Sequence, residues 1–297
     1  MGVAGRVVPY PLNRRLLIPT SVGRGAAGAV ATAMSCRASA VAAHHLAWCV
    51  ARTTGSHLIP GKRQALDLPV AVRGVLDVVA DVVGGLDAFA LLSRRQDHRG
   101  AHLILAFRDG SPITFCKIAG ESSAVSFGVE QRCLTELSNA KRAPVIVPRL
   151  LVGGTAHGLQ FTAMSALPPR PHRPFWGNVA PILEWLQLSL ADVLPRVGPA
   201  HWVPMHGDFA PWNLRRLWFG SHTLFDYEDA RYGPPSGDAV FWMVATATLK
   251  GQPLSHAIDE ESREFWREFL THRLSSQTDP ELDDRLLATL LGAPVRR

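Results

Sequence analysis

The sequence predicts an α+β fold: a small antiparallel sheet, then a mainly helical second half, with a basic extension at the N-terminus. Three observations predict it. Strand-like runs rich in β-branched and aromatic residues cluster before residue 166, and apolar stripes at helical spacing dominate after it. The first 66 residues carry eight basic residues and no acid. At 297 residues and 47% hydrophobic, the chain can bury a two-part core and still carry that extension.

A helix is expected over 70–83, opened by Asp67 and Pro69 and closed by Gly84-Gly85. Its stripe of Val72, Val75, Leu76, Val79 and Val83 reads as core. Strands are expected over 89–94, 102–108 and 113–119, the last two joined by the strong turn signal Asp109-Gly110-Ser111-Pro112. In the third strand Lys117 shares a face with Ile113 and Phe115, where an ammonium is costly unless an anion pairs with it. The helical pattern that follows puts Glu130 on the stripe of Leu134 and Leu137. Each is an awkward charge on a buried face, and each would neutralise the other. Glu121 and Glu136 are rival partners, and a Lys117 stretched out to solvent is the structural alternative.

A strand over 159–164 leads through Ser165-Ala166-Leu167 into PPRPHRP, whose prolines stiffen a crossover. Helices are expected over 179–194, with Ile182, Leu183, Leu186 and Leu190 aligned, and over 240–249, 255–274 and 280–291. Acids crowd the start of the 255–274 helix and complement its dipole.

The net charge of +6 belongs to the extension, because residues 67–297 carry 23 basic and 25 acidic side chains. The extension reads as a targeting peptide, an anionic-surface contact, or an accessory layer on the sheet. Arg37, His44 and His45 interrupt its apolar runs, so a membrane span is not expected. Residues 23–28 fit GxGxxG after the strand-like LLIPTSV, yet no acid precedes Asp67 to hold a ribose. A flexible Ala/Gly-rich segment is the better reading there. Cys36, Cys49, Cys116 and Cys133 form no CxxC pair, which points to reduced thiols in a cytoplasmic protein without a Cys/His metal site.

The densest chemistry lies in HGDFAPWNLRRLWFGSHTLFD, residues 206–226. Two short strands, 214–219 and 222–225, flank Gly220-Ser221, which suits a two-residue hairpin turn. That register sets Asn213 opposite Glu228 and Arg215 opposite Asp226, with Asn213, Asp226 and Glu228 on one face. Opposed Cβ atoms lie about 5 Å apart, close enough for an amide oxygen and carboxylates to share a hard cation. Asp208 is tethered nearby on a Pro-containing loop.

HGDFAPWN followed by FDYEDARYGPPSGDAVFW resembles the aminoglycoside phosphotransferase and choline-kinase-like family, over roughly residues 86–245 and most strongly over 205–238. The resemblance implies a two-lobed protein-kinase-like fold, with an N-lobe over 67–166, a C-lobe over 167–297 and the extension over 1–66. It also implies ATP, or another nucleoside triphosphate, with Mg2+. Asp208 would be the catalytic base, and His206 would orient its loop. Asn213 and Asp226 would hold magnesium, with Glu228 a further acidic position beside them. Lys117 would contact phosphates and Glu130 would hold it. Ser165 and Leu167 would lie at the adenine through backbone groups, Ser93 near the phosphates, and Asp238 would brace the catalytic loop. One departure stands out: SRRQDHRG, between the first two strands, has a single glycine where wider kinases have a glycine-rich loop.

The activity expected is transfer of the γ-phosphate to a hydroxyl of a small molecule that is aminoglycoside-, amino-alcohol- or sugar-like. The alternative is a nucleotide-binding pseudokinase with a scaffolding or regulatory role. A third reading makes the extension a nucleic-acid or membrane-surface binder, although no nucleic-acid partner is expected.

Overall fold

The structure is a computed structural model and describes residues 6–33, 35–93, 101–218, 220–254, 256–275 and 281–293. Its N-terminal half is built on β1 (Arg6–Tyr10), β2 (Asn13–Pro19), β3 (Gln64–Ala65), β4 (Ala88–Ser93), β5 (His102–Arg108), β6 (Ser111–Ala119), β7 (Leu150–Ala156) and β8 (Leu159–Ser165). These strands form one antiparallel sheet in the order β3-β1-β2-β4-β5-β6-β8-β7. The β5–β6 connection is a two-residue turn, with Asp109 at φ 51 and Gly110 at φ 69. Asp-Gly accepts that left-handed pair where most residues would not.

Alternation divides the sheet into two apolar faces. Helix α1 (Ala26–Thr32) and helix α2 (Ala38–Thr54) cover the face bearing Ala88, Ala90, Leu105 and Phe107. Helix α3 (Val70–Val83) covers the other, setting Val72, Val75, Leu76 and Val79 against Ile104, Ala106, Cys116 and Ile118. Full burial of such side chains stabilises by about 1.5–3 kcal/mol each, so the α3 stripe alone outweighs its exposed Val70 and Val82. Gly84 at φ 80 ends α3 as a left-handed cap.

Helix α4 (Ala124–Asn139) lies between β6 and β7, and the second half contains α5 (Ala180–Leu190), α6 (Gly237–Lys250), α7 (Glu260–Ser275) and α8 (Glu281–Leu290). Short strands β9 (His172–Pro174), β10 (Val203–Met205), β11 (Leu214–Leu217), β12 (His222–Leu224) and β13 (Arg231–Gly233) pair as β12-β11-β9 and β10-β13. Leu134 and Leu137 of α4 pack with Leu186, Phe209, Leu224 and Tyr227, joining the halves in one core. Phe241 stacks on Trp266 at 4.2 Å in a second core under α6–α8. This is a two-lobed, protein-kinase-like architecture. No described helix is long and apolar enough to cross a membrane.

Several expectations are corrected. The run 23–28 is no flexible linker: a 3-10 turn, Thr20–Gly25, leads into α1, whose residues 26–31 are all buried. Small side chains allow that closeness, since a Cβ on Gly28 would come 2.7 Å from Pro112 Cγ. The extension therefore supplies strands β1 and β2 to the sheet, and residue 66 is no structural boundary. Helix α7 starts at Glu260, not 255, because Asp259 caps it by accepting the Ser262 N–H at 2.8 Å. Helix α5 ends at Leu190, not 194. Residues 94–100, most of SRRQDHRG, lie outside the described residues.

Candidate active site

Lys117 of β6 is 4% exposed and reaches three acids. Its Nζ lies 2.6 Å from Glu130 Oε1 of α4, 2.5 Å from Asp226 Oδ1 and 2.7 Å from Glu228 Oε1. Strand alternation sends Lys117 to the same side as Phe115, and the Leu134–Leu137 stripe carries Glu130 inward to meet it. The rivals Glu121 and Glu136 are exposed. Burial, opposed by Lys117 and reinforced by Glu228 and Asp226, pushes the Glu130 carboxyl up to about 7. One ammonium among three carboxylates leaves an excess of negative charge, which a proton or a cation would relieve. Carboxylate oxygens of Glu130, Asp226 and Glu228 all lie within 4.8 Å of one another, the spacing of a cation site. Asp226 is the open member, its side chain 34% exposed.

The β11–β12 register differs from expectation by three residues. Arg215 faces Thr223, and Leu214 faces Leu224, so Arg215 does not oppose Asp226 and Asn213 does not oppose Glu228. The cause is a longer loop: Leu217 N–H donates to Ser221 O at 2.8 Å, with Gly220 at φ 92 inside it. Asp226 then takes φ 70, which turns the chain out of the ribbon. Asp226 and Glu228 still come together, but around Lys117.

Asn213 instead holds the loop aspartate. Its Nδ2 donates to Asp208 O at 2.9 Å and to Asp208 Oδ2 at 2.7 Å, and Trp212 Nε1 donates to the same Oδ2 at 3.0 Å. Asp208 Oδ1 is buried without a hydrogen bond, and Arg273 Nη1 stands 3.9 Å away. Burial pushes the Asp208 carboxyl up to about 7; Arg273 opposes the shift and the Asp229 and Asp226 charges add to it.

His206 has a structural post. The Asp208 N–H donates to its Nδ1 at 3.3 Å, so Nε2 carries the proton toward Phe225 O at 3.1 Å. Burial lowers its pKa to about 4, which keeps it neutral. Asp238, at the start of α6, accepts the His206 N–H at 2.6 Å and the Gly207 N–H at 3.1 Å. Gly207 has φ 79, and a Cβ there would lie 1.9 Å from Asp229 O. The sharp turn that presents Asp208 thus requires glycine.

The crossover is less available than expected. Ser165 N–H donates to Arg149 O at 2.8 Å, and its Oγ accepts the Arg149 N–H at 2.9 Å. Ala166 N–H donates to Ile113 O at 3.0 Å. Leu167 is half-buried, and Ser93 sits exposed at the end of β4, opposite His102. Two arginines have contacts near the site that the sequence does not foretell. Arg273 of α7 makes two bonds to Asp283, at 2.9 and 3.1 Å, and faces Asp208. Arg215, on β11, is fully buried. Arg273 stands in no motif, and Arg215 lies within the 206–226 stretch, where the sequence sets it opposite Asp226 and gives no sign of its burial.

No family model matches the chain, and no curated protein matches it by sequence. Solved structures do. A protein assigned as a fructosamine-3-kinase from Haemophilus somnus is 12% identical, with 75% of this chain and 100% of that one covered at a TM-score of 0.48. Aminoglycoside phosphotransferase APH(3'')-Id from Streptomyces rimosus is 14% identical, with 76% and 100% covered at 0.41. Amicoumacin kinase hAmiN is 14% identical, with 75% and 87% covered at 0.38. At such values the likeness concerns fold only and assigns no activity.

Proposed function

We propose that the protein is a small-molecule kinase that moves the γ-phosphate of ATP, or another nucleoside triphosphate, to a substrate hydroxyl. One observation carries the reading: a sheet lysine and a helix glutamate, Lys117 and Glu130, meet Asp226 of the other half beside a loop whose Asp208 keeps one carboxylate oxygen without a hydrogen bond. That combination is what phosphoryl transfer demands of a protein, which is positioning and charge compensation and little covalent chemistry.

The residues fit a magnesium–nucleotide pair in donor chemistry. Asp226 and the amide oxygen of Asn213 would hold the metal, with Glu228 behind them, and the bound metal would supply charge neutralisation at the phosphates. The remaining work falls to the chain. Asp208 Oδ1 accepts the substrate hydroxyl proton, or orients it, while Oδ2 stays fixed by Trp212 and Asn213. Lys117 orients phosphate oxygens, and Glu130 keeps Lys117 extended across the sheet. His206 and Asp238 hold the turn.

The second reading, a nucleotide-binding pseudokinase, is favoured by one feature, the sealing of Asp208 Oδ1 beside Arg273. Nucleotide consumption separates the two. Incubation of purified protein with Mg·ATP and a panel of hydroxyl-bearing metabolites should yield ADP with at least one acceptor, and the Asp208→Ala variant should not. Nucleotide binding without turnover across the panel would favour the pseudokinase.

A further inference from the structure

We propose that the N-terminal helices occupy the nucleotide cleft of the same chain, so that nucleotide binds only when α1 and α2 lift off the sheet; this rests on the reading of that cleft given above. The argument begins with sheet parity. Phe115 and Lys117 are two residues apart on β6 and so share a face. Phe115 packs into the cluster formed by Ala26, Ala27, Ala29 and Val30 of α1 with Ala88, Ala90, Leu105 and Phe107. Helix α1 therefore lies on the lysine-bearing face, against the strands that would roof a bound base.

The crossover is engaged as well. Ala166 joins the same cluster, and Trp48 Nε1 of α2 donates to Pro169 O at 3.0 Å. The layer thus touches both surfaces between which a flat base would slide. Its start is wedged at the β5–β6 turn: a Cβ on Gly25 would lie 1.7 Å from Gly110 O. Between α1 and α2, at Ser35 and Cys36, it is clamped to the helical half. Arg215 Nη2 donates to Ser35 O at 2.9 Å, and Nη1 lies 3.6 Å from Cys36 Sγ. The same guanidinium also reaches Pro211 O at 3.2 Å, in the loop between Asp208 and Asn213, and His172 O at 3.3 Å. His45 and Trp218 add a ring contact at 5.3 Å.

The cover is weakly held for its size. Its inward residues on α1 are alanines and one valine, which bury little apolar area. Of the 17 residues of α2 only Ala51 is buried, while Leu46 and Val50 are exposed. Seven residues are too few for α1 to persist as a helix away from the sheet, so release would be a local unfolding step. A cleft closed most of the time lowers apparent affinity by the open fraction.

Two measurements on the full chain test this, both with Mg·ATP as the probe. In hydrogen–deuterium exchange, saturating Mg·ATP should speed exchange in residues 26–33 and 38–54. In titration calorimetry, Gly25→Ala with Gly28→Val, which wedges α1 off Gly110 and Pro112, should tighten Mg·ATP about tenfold or more. Exchange in α1 and α2 unchanged or slowed at saturation would overturn the gate and leave the kinase reading intact. If wild type shows no binding but the wedged variant binds, the gate is supported. If neither wild type nor the folded wedged variant binds Mg·ATP, both the gate and the kinase reading fail.

Discussion

Lys117 Nζ and Asp226 Oδ1 lie 2.5 Å apart although 109 residues separate them in the chain. The contact ties the sheet to the helical half at the point where the chemistry is proposed. Loss of the ammonium leaves Glu130 and Glu228, both buried, without their shared counter-charge. Lys117→Met should therefore destabilise by about 3–5 kcal/mol, and adding Glu130→Gln should recover part of that loss. Urea unfolding of the two variants reads the difference directly.

Asp208 combines a functional post with a stability cost. Its folded pKa of about 7 lies above the unfolded 3.8, so the folded protein holds this proton more tightly. The favourable contribution is present below the unfolded value and disappears as pH rises through the folded one. The Asp208→Asn variant escapes that loss. Its stability relative to wild type should improve on the order of 1–4 kcal/mol between pH 4 and 8, while phosphoryl transfer disappears. Thermal melts at several pH values would show a flat difference if the carboxyl were not desolvated.

Arg273 and Asp283 form a buried bidentate pair next to Asp208. Arg273→Met removes two bonds from the buried Asp283 carboxylate and should cost about 3–5 kcal/mol. Pairing it with Asp283→Leu removes both charges and should restore most of the stability. Turnover near pH 7 should stay low in both, because losing the guanidinium that opposes the shift raises the Asp208 carboxyl further and leaves less carboxylate. A double-mutant cycle in denaturant, run beside a turnover assay, separates the two effects.

Asp238 accepts two backbone N–H groups of the His206–Gly207 turn. Asp238→Ala leaves both buried and unbonded, at about 1–3 kcal/mol each. Hydrogen exchange at His206 and Gly207 should accelerate more than exchange in β11, which the substitution does not touch.

Much of this is legible in the sequence. Helix 70–83 and strand 102–108 were bounded correctly because caps, stripe and turn residues agreed. Lys117 and Glu130 were found as a pair because a charge on an apolar face needs a partner. The β11–β12 register was misread because Gly220-Ser221 looks like a two-residue turn, whereas the closing bond runs from Leu217 to Ser221. β1 goes unread because Pro9 breaks its pattern, and β2 is legible only in part, as the strand-like LLIPTSV, because exposed Arg14 and Arg15 open it. Arg215 was unreadable, because its partners Ser35 and Cys36 lie some 180 residues away.

The central claim is that Asp208 serves phosphoryl transfer in a cleft organised by Lys117. Its most direct test is ADP release from Mg·ATP, with acceptor panel, by wild type and by folded Asp208→Ala. The account predicts acceptor-dependent ADP from wild type and none from the variant. Equal turnover by both proteins would contradict it.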